Sequence, residues 1–253
     1  MRQRWLSFYA AGAYLFLHLP LAVLAVFSFN SSRFTVWEGF TLAWYEVAWR
    51  DEHLLEATMN SFVVAASATG IATAVGTLCA YALWKRGCLW ISATLYLSLV
   101  TPEIVLGVAL LAFYQWLFRH LNFQLGMHTV ILAHVMFSIA YVVTVVSARL
   151  RGFDRAQEEA AMDLGATEWQ AFFRVTLPQL LPGVFSAALL AFIISFDDFV
   201  ITSFVAGVDS ETLPMVIYSM ARKGFSPAVN AISTVIVFVL GVLILLVERL
   251  RER

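Results

Sequence analysis

An all-α integral membrane protein with six membrane-crossing helices is the fold class this sequence predicts, and three observations predict it. Hydrophobic residues fill 61% of the 253 positions and charged residues only 13%, where a soluble domain is about one quarter charged. Six apolar stretches are each long enough to cross a bilayer, which takes about 20 residues of helix. Between two of them, at about 150–178, lies the one long polar stretch, in which charges alternate with bulky apolar groups.

The spans are expected near 8–29, 60–84, 91–118, 129–149, 179–206 and 229–247. The first follows Arg2 and Arg4, but its apolar run is too long for a signal peptide and no A-x-A cleavage site follows, so it reads as an uncleaved span. Between Asn30 and Met59, Trp37, Phe40, Trp44, Tyr45 and Trp49 suit an aromatic belt at the lipid headgroups or a contact surface for an external partner. The second span carries two small-residue stripes, Ala66, Gly70, Ala74 and Ala72, Gly76, Ala80, which let helix backbones approach closely in lipid. Thr69, Thr73 and Thr77 on the same span are suited to line a polar path, but their hydroxyls are expected instead to bond carbonyls one turn earlier. No Pro/Gly/Ser linker or hydrophilic block divides the chain, so 1–253 reads as one membrane domain.

Charge sets the orientation. With the N-terminus inside, eleven of the 16 Lys and Arg residues fall on the cytoplasmic side and five outside. The cytoplasmic side then holds both termini and the 150–178 loop. A net charge of −1 and the lack of a basic run leave no footprint for nucleic acid. Cys79 and Cys88 are too few for a disulfide scaffold or a four-ligand metal site. The five histidines share no metal-ligand spacing, and His18 and His134, alone in apolar spans, read as buried hydrogen-bonding residues. No phosphate loop and no nucleophile, base or metal motif is present, so no enzyme is expected. ATP, if used, is bound by another subunit.

The polar stretch carries a specific motif. Glu159, Ala160 and Ala161 are followed after three residues by Gly165, and after nine more by Val175, with Leu177 and Pro178. This spacing resembles the EAA loop of binding-protein-dependent ABC importer permeases, with Val175 where Ile is usual. The resemblance implies that Glu159, Ala160, Ala161, Asp163, Gly165, Leu177 and Pro178 couple the chain to an ATPase. Gly165 falls between two short helical stretches, where the turn needs a positive φ or a close backbone approach. Met162, Leu164, Trp169, Phe172 and Phe173 supply the segment's apolar face.

Acidic residues inside spans are the other informative feature. Asp197 and Asp198 interrupt an apolar run, and Glu103 follows Pro102 about twelve residues into the third span, near mid-bilayer at about 1.5 Å per residue. A carboxylate there costs about 2.5–3.5 kcal/mol on insertion scales. These groups are therefore expected to face a cavity, or, for the Asp pair, to be hydrated at an interface or to cap a broken helix. The two aspartates lie about 100° apart on a helix, so one of them should point at the pore.

T-P-E-I at 101–104, S-F-D-D-F-V-I-T-S-F-V at 195–205, T-L-P-M-V-I-Y-S-M at 212–220 and S-P-A-V-N-A at 226–231, with G-F-T-L-A-W-Y at 39–45 and N-S at 60–61, are similar to the second permease subunit of spermidine/putrescine importers. Glu103 stands where many relatives have Asp, keeping the charge on a longer arm. The resemblance implies the six-helix, MetI-like type I importer fold in the bacterial inner membrane. It also implies a paired second permease, two cytoplasmic ABC ATPases that hold ATP and Mg, and an external solute-binding protein. A polyamine path wants spaced carboxylates and aromatic faces, the latter worth about 0.5–2 kcal/mol per cation–π contact. Glu103, Asp197 and Asp198 supply the first; Tyr114, Tyr141, Trp116 and Phe196 are candidates for the second. An importer of another small organic cation and a passive cation channel with an acidic ring are the competing readings.

Overall fold

The structure, a computed structural model, describes residues 2–33, 36–121, 123–223 and 227–251. These residues are almost entirely helical, with a single antiparallel bridge between Asn30 and Phe40. They divide into two compact units, Met1–Glu56 with Val216–Arg253, and Ala57–Met215.

In the first unit α1 (Arg2–Phe27), α2 (Ala43–Arg50) and α12 (Pro227–Arg251) pack through α12, which touches both others. Helix α1 leaves Trp5, Phe8, Tyr9 and Phe16 largely exposed, the surface of a helix meant to meet lipid. His18 departs from expectation for that reason: no described residue covers its face of α1, so the ring is exposed, with its Nδ1 2.8 Å from Tyr14 O. The aromatic segment after α1 is partly structural. Asn30 donates to Val36 O at 2.8 Å and accepts from Glu38 N at 3.0 Å, closing a turn. Trp44 Nε1 donates to Asn30 O at 2.8 Å, and Tyr45 Oη lies 2.7 Å from Ser28 Oγ. Trp37, Phe40 and Trp49 stay exposed.

The second unit takes in most of α3 (Glu52–Arg86), then α4 (Leu89–Val100), α5 (Glu103–Leu121), α6 (Met127–Leu150), α7 (Arg155–Asp163), α8 (Glu168–Ala171), α9 (Leu177–Asp197) and α10 (Val200–Val205). Helix α11 (Leu213–Lys223) begins in it. Helix α6 is central and packs on α9, α4 and α10. One core cluster joins Ala72 and Ala80 of α3, Val142, Val146 and Leu150 of α6, and Leu180, Ala187 and Ala191 of α9. Of the two small-residue stripes, Ala72, Gly76 and Ala80 make this contact. A Cβ on Gly76 would stand 2.7 Å from Val142 Cγ1, so glycine there is what lets α3 and α6 meet. Ala66, Gly70 and Ala74 are exposed and not covered by the described residues of their own unit. Beside them the Oγ1 atoms of Thr69, Thr73 and Thr77 are buried without a hydrogen-bond partner, so the expected bonds to the preceding turn do not form.

Among the described residues four helices are singly long and apolar enough to cross a membrane: Trp5–Phe27, Glu52–Arg86, Met127–Leu150 and Glu168–Asp197. The continuous third span expected over 91–118 is corrected. It is two helices, α4 and α5, meeting at 112°. Pro102 is the cause, because it forces Thr101 out of the helical region, to φ −67° and ψ 129°. The fifth span likewise ends at Asp197, short of the expected 206, and α10 restarts at Val200. The sixth expectation falls on α12, whose apolar stretch among the described side chains is Pro227–Val239.

Candidate functional site

The two breaks face one another. Thr101, Pro102 and Glu103 at the first, and Asp197, Asp198 and Phe199 at the second, line a single cavity of about 570 Å³ together with Ser98, Phe137 and Tyr141. Helices α4 and α9 both end here. At each break the negative C-terminus of one helix meets the positive N-terminus of the next, α5 or α10, so helix ends of both signs face the cavity. Broken spans that build a polar site between helices are the usual way a membrane protein places irregular backbone away from lipid.

The three predicted carboxylates converge there in different states. Glu103 is exposed in the first turn of α5, where the helix dipole favours its charge. Asp197 is exposed, and no hydrogen bond engages its carboxylate among the described residues. Asp198 is committed to structure: Oδ1 accepts from Ile201 N at 3.3 Å, and Oδ2 accepts from Thr202 N at 2.8 Å and Thr202 Oγ1 at 2.7 Å. It is the cap of α10, satisfying amides that have no intrahelical partner. His134 lies beneath it, fully buried, with Nε2 3.4 Å from Asp198 Oδ2 and 2.9 Å from Thr202 Oγ1, and Nδ1 2.7 Å from Ser195 Oγ. His134 is thus the buried hydrogen-bonding residue that the sequence suggested. It ties α6 to both sides of the α9–α10 break.

The aromatics divide. Tyr141 lines the cavity, joined by Phe137 and Phe199, which the sequence did not single out. Tyr114 is buried in the cluster of Val64, Val130, Ala133 and Val205, with its hydroxyl donating to Thr129 O at 3.2 Å. Phe196 packs on Phe62 at 5.3 Å between ring centroids. Trp116 borders a different cavity, with Gln115 and Arg119. Neither these two nor Tyr114 is among the cavity's lining residues. Ser98, whose buried hydroxyl has no partner, is.

The EAA segment forms a helix–turn–helix. Asp154 caps α7 by accepting from Ala156 N at 3.0 Å. At its far end Gly165 N donates to Met162 O at 2.9 Å and Ala166 N to Ala161 O at 3.1 Å. These are the two bonds of a Schellman ending, which needs a left-handed residue, and Gly165 has φ +89°. No atom crowds it, so conformation alone and not close approach calls for glycine there. Thr167 and Gln170 then make a reciprocal capping box for α8. Ahead of α9 the residues Phe172–Thr176 form a π-helical turn in which Leu177 N donates to Phe172 O, five residues back. Pro178 and Pro182 follow, each without an amide hydrogen.

Within the segment Glu159, Ala160, Asp163, Gly165 and Pro178 are exposed, and Ala161 and Leu177 are half-buried. The buried acid is the preceding one. Glu158, 1% exposed, accepts from Tyr81 Oη of α3 and pairs with Lys85 Nζ at 3.1 Å. Phe172 packs on Tyr81 with ring centroids 4.5 Å apart and planes tilted by 47°, and is buried, while Leu164, Trp169 and Phe173 are 90%, 61% and 56% exposed. The apolar face read from the sequence is therefore split between a root in the bundle and an outward edge. Tyr81 and Lys85, one turn apart on α3, were the available signal for Glu158. Among the described residues no group of His, Cys, Asp and Glu is placed to hold a metal.

A bundle of apolar helices with a broken-span cavity and a capped helix–turn–helix at one end defines a membrane transport subunit. The chain belongs to the family of binding-protein-dependent transport system inner membrane components, whose model matches residues 56–253. It is 40% identical over 249 residues to the putrescine transport system permease protein PotI of Escherichia coli (strain K12), covering 96% of this chain and 89% of that protein. To the spermidine/putrescine transport system permease protein PotC of the same strain it is 39% identical over 244 residues, 95% of this chain and 90% of that one. The Haemophilus influenzae PotC is also 39% identical, with 95% and 93% covered. Among solved structures, a bacterial ABC transporter involved in alginate import matches with TM-score 0.74 and 13% identity, over 100% of this chain and 96% of that one. The MetNI methionine ABC transporter matches with TM-score 0.60 and 20% identity, over 85% and 97%. These two show the fold, that of the ABC importer permeases. The chain is accordingly a multi-pass membrane permease subunit.

Proposed function

We propose that this subunit forms half of the translocation pathway of an ATP-driven importer of polyamines such as spermidine and putrescine, working by alternating access. The observation that carries the substrate class is the cavity at the two broken spans, with Glu103 and Asp197 available and Tyr141, Phe137 and Phe199 as aromatic faces. Spaced carboxylates offset the desolvation of ammonium groups, and aromatic faces add about 0.5–2 kcal/mol each. The identity of about 40% to PotI and PotC supports the same reading. An acidic ring in a passive channel would explain the carboxylates but gives no use for the capped, outward-facing coupling segment.

In this account ATP and Mg sit on two cytoplasmic ATPase subunits that meet Glu159, Ala160, Ala161, Asp163, Gly165, Leu177 and Pro178 with the exposed edge of Leu164, Trp169 and Phe173. Both termini and this segment lie in the cytoplasm of a bacterial inner membrane, as the Lys and Arg distribution supports. A second permease completes the pathway, and the exposed stripe of Ala66, Gly70 and Ala74 supports a closely packed helix neighbour on that face. A solute-binding protein delivers the substrate outside, in keeping with the family's description. The family match, beginning in α3 and running to Arg253, supports treating the chain as one permease domain. The test is uptake by the reconstituted complex. Labelled spermidine or putrescine should accumulate only with ATP inside and binding protein outside, and accumulation without ATP would favour the channel.

A further inference from the structure

The end of the bundle that carries the coupling segment is rich in cations: Lys85, Arg86, Arg149, Arg151 and Arg155 fall in the chain stretches 85–86 and 149–155. Three of them are occupied. Lys85 pairs with Glu158, and Arg155 lies over the Trp84 ring at 4.5 Å and donates to Trp84 O. The stem of Arg149 packs where Gly183 leaves room. Arg151 makes no side-chain hydrogen bond or ion pair among the described residues. It edges a second cavity, of about 230 Å³, enclosed by α3, α4 and α6.

That cavity is amphiphilic. With Arg151 the lining includes Ser92, Ser147 and Tyr96, whose hydroxyls make no hydrogen bond among the described residues, and Thr144, whose hydroxyl donates to Ala140 O at 2.8 Å; Leu83, Trp84, Leu95 and Val143 complete the wall. A guanidinium fork with nearby hydroxyls matches phosphate oxygens, and the apolar wall matches the first carbons of an attached chain. The space holds a headgroup and no more, so acyl chains would leave along α4, whose Leu89, Trp90 and Leu97 are exposed. Trp84 and Tyr96 are of the type that settles at the membrane interface. A polyamine is excluded by the sign of the charge.

We propose that the groove between α3, α4 and α6 binds the headgroup phosphate of an anionic phospholipid, with Arg151 as its principal ligand. This adds a lipid site beside the coupling segment, separate from the substrate cavity, and requires only that the chain spans a membrane. Basic pockets between membrane helices hold anionic headgroups by this combination of charge and enclosure.

The test uses the assembled importer complex, equilibrated with phosphatidylglycerol or phosphatidylcholine and analysed by native mass spectrometry. Wild type should retain phosphatidylglycerol in preference to phosphatidylcholine. Arg151→Ala should lower retention about fivefold to tenfold, Arg151→Lys less, and Arg33→Ala in the first unit not at all. Ser92→Ala with Ser147→Ala, which disturbs no ion pair, should also lower it and stands as the measurement if Arg151→Ala does not assemble. Millimolar inorganic phosphate should not displace the lipid. Undiminished retention in the Arg151 and serine variants, equal retention of phosphatidylcholine, or displacement by phosphate would each overturn the assignment.

Discussion

Tyr81 of α3 donates its hydroxyl to Glu158 of α7, residues 77 positions apart in the chain. The acid that roots the EAA segment in the bundle is therefore the one before the motif's own Glu159. With Lys85 on the other carboxylate oxygen at 3.1 Å, Glu158 is a buried, paired charge. Glu159 beside it is exposed.

The two glutamates should consequently fail differently. Glu158→Ala strands Lys85 and Tyr81, and breaking a buried pair costs about 3–5 kcal/mol; Lys85 is 21% exposed, so the lower end applies. Thermal unfolding of the purified complex should show a clear drop in Tm. Glu159→Lys should leave Tm near wild type while ATP hydrolysis loses its dependence on substrate-loaded binding protein. Equal Tm losses in both variants would contradict this division.

At Gly165 the residue type is set by φ +89°. A β-branched side chain held there costs about 1–2 kcal/mol, which opens the Schellman turn between α7 and α8. Gly165→Val should insert normally and lose transport-coupled ATPase activity, while Gly165→Asn, which tolerates the left-handed region better, should keep more of it. Wild-type coupling in Gly165→Val would remove Gly165 from the coupling account.

Asp197 and Asp198 separate in the same manner. Asp198→Asn loses charge at a group that accepts three hydrogen bonds within α10's first turn, and should lower Tm by an amount corresponding to about 1–3 kcal/mol. Asp197→Asn touches no such bond and should leave Tm unchanged. A stable Asp198→Asn would show that His134, Ser195 and Thr202 hold the break without it.

Much of this was legible in the sequence. The spacing around Gly165 points to two short helical stretches joined by a turn that needs a positive φ or a close backbone approach, and the structure selects the first. That Glu103 and Asp197 face a cavity follows from the cost of charge in lipid, while their meeting in one cavity is seen only in the structure; a cap at a broken helix is one of the roles expected of the Asp pair. Hydropathy reports composition and not direction, so it predicts one span over 91–118 and misses the 112° bend at Pro102. Nor does it say which of two adjacent acids, Glu158 or Glu159, meets α3. The helical turn decides that, and its register depends on Tyr81 and Phe172 packing together. Tyr114 shows the same limit, since an aromatic at a plausible depth turned out to be core.

In the proposed account this chain supplies one wall of the pathway and ATP is bound by other subunits, so the purified subunit alone in liposomes should show no polyamine uptake above protein-free vesicles. Substrate-dependent uptake by the subunit by itself would favour a passive carrier.

The account stands most directly on the initial rates of spermidine and putrescine uptake by reconstituted complexes carrying Asp197→Asn or Glu103→Gln. Both variants should assemble with wild-type Tm, transport more slowly, and lose more with the triamine than with the diamine, because the longer substrate must have more ammonium groups desolvated at once. Wild-type rates for both substrates in both variants would mean that these carboxylates are structural and that the cavity at the broken spans is not the cation path.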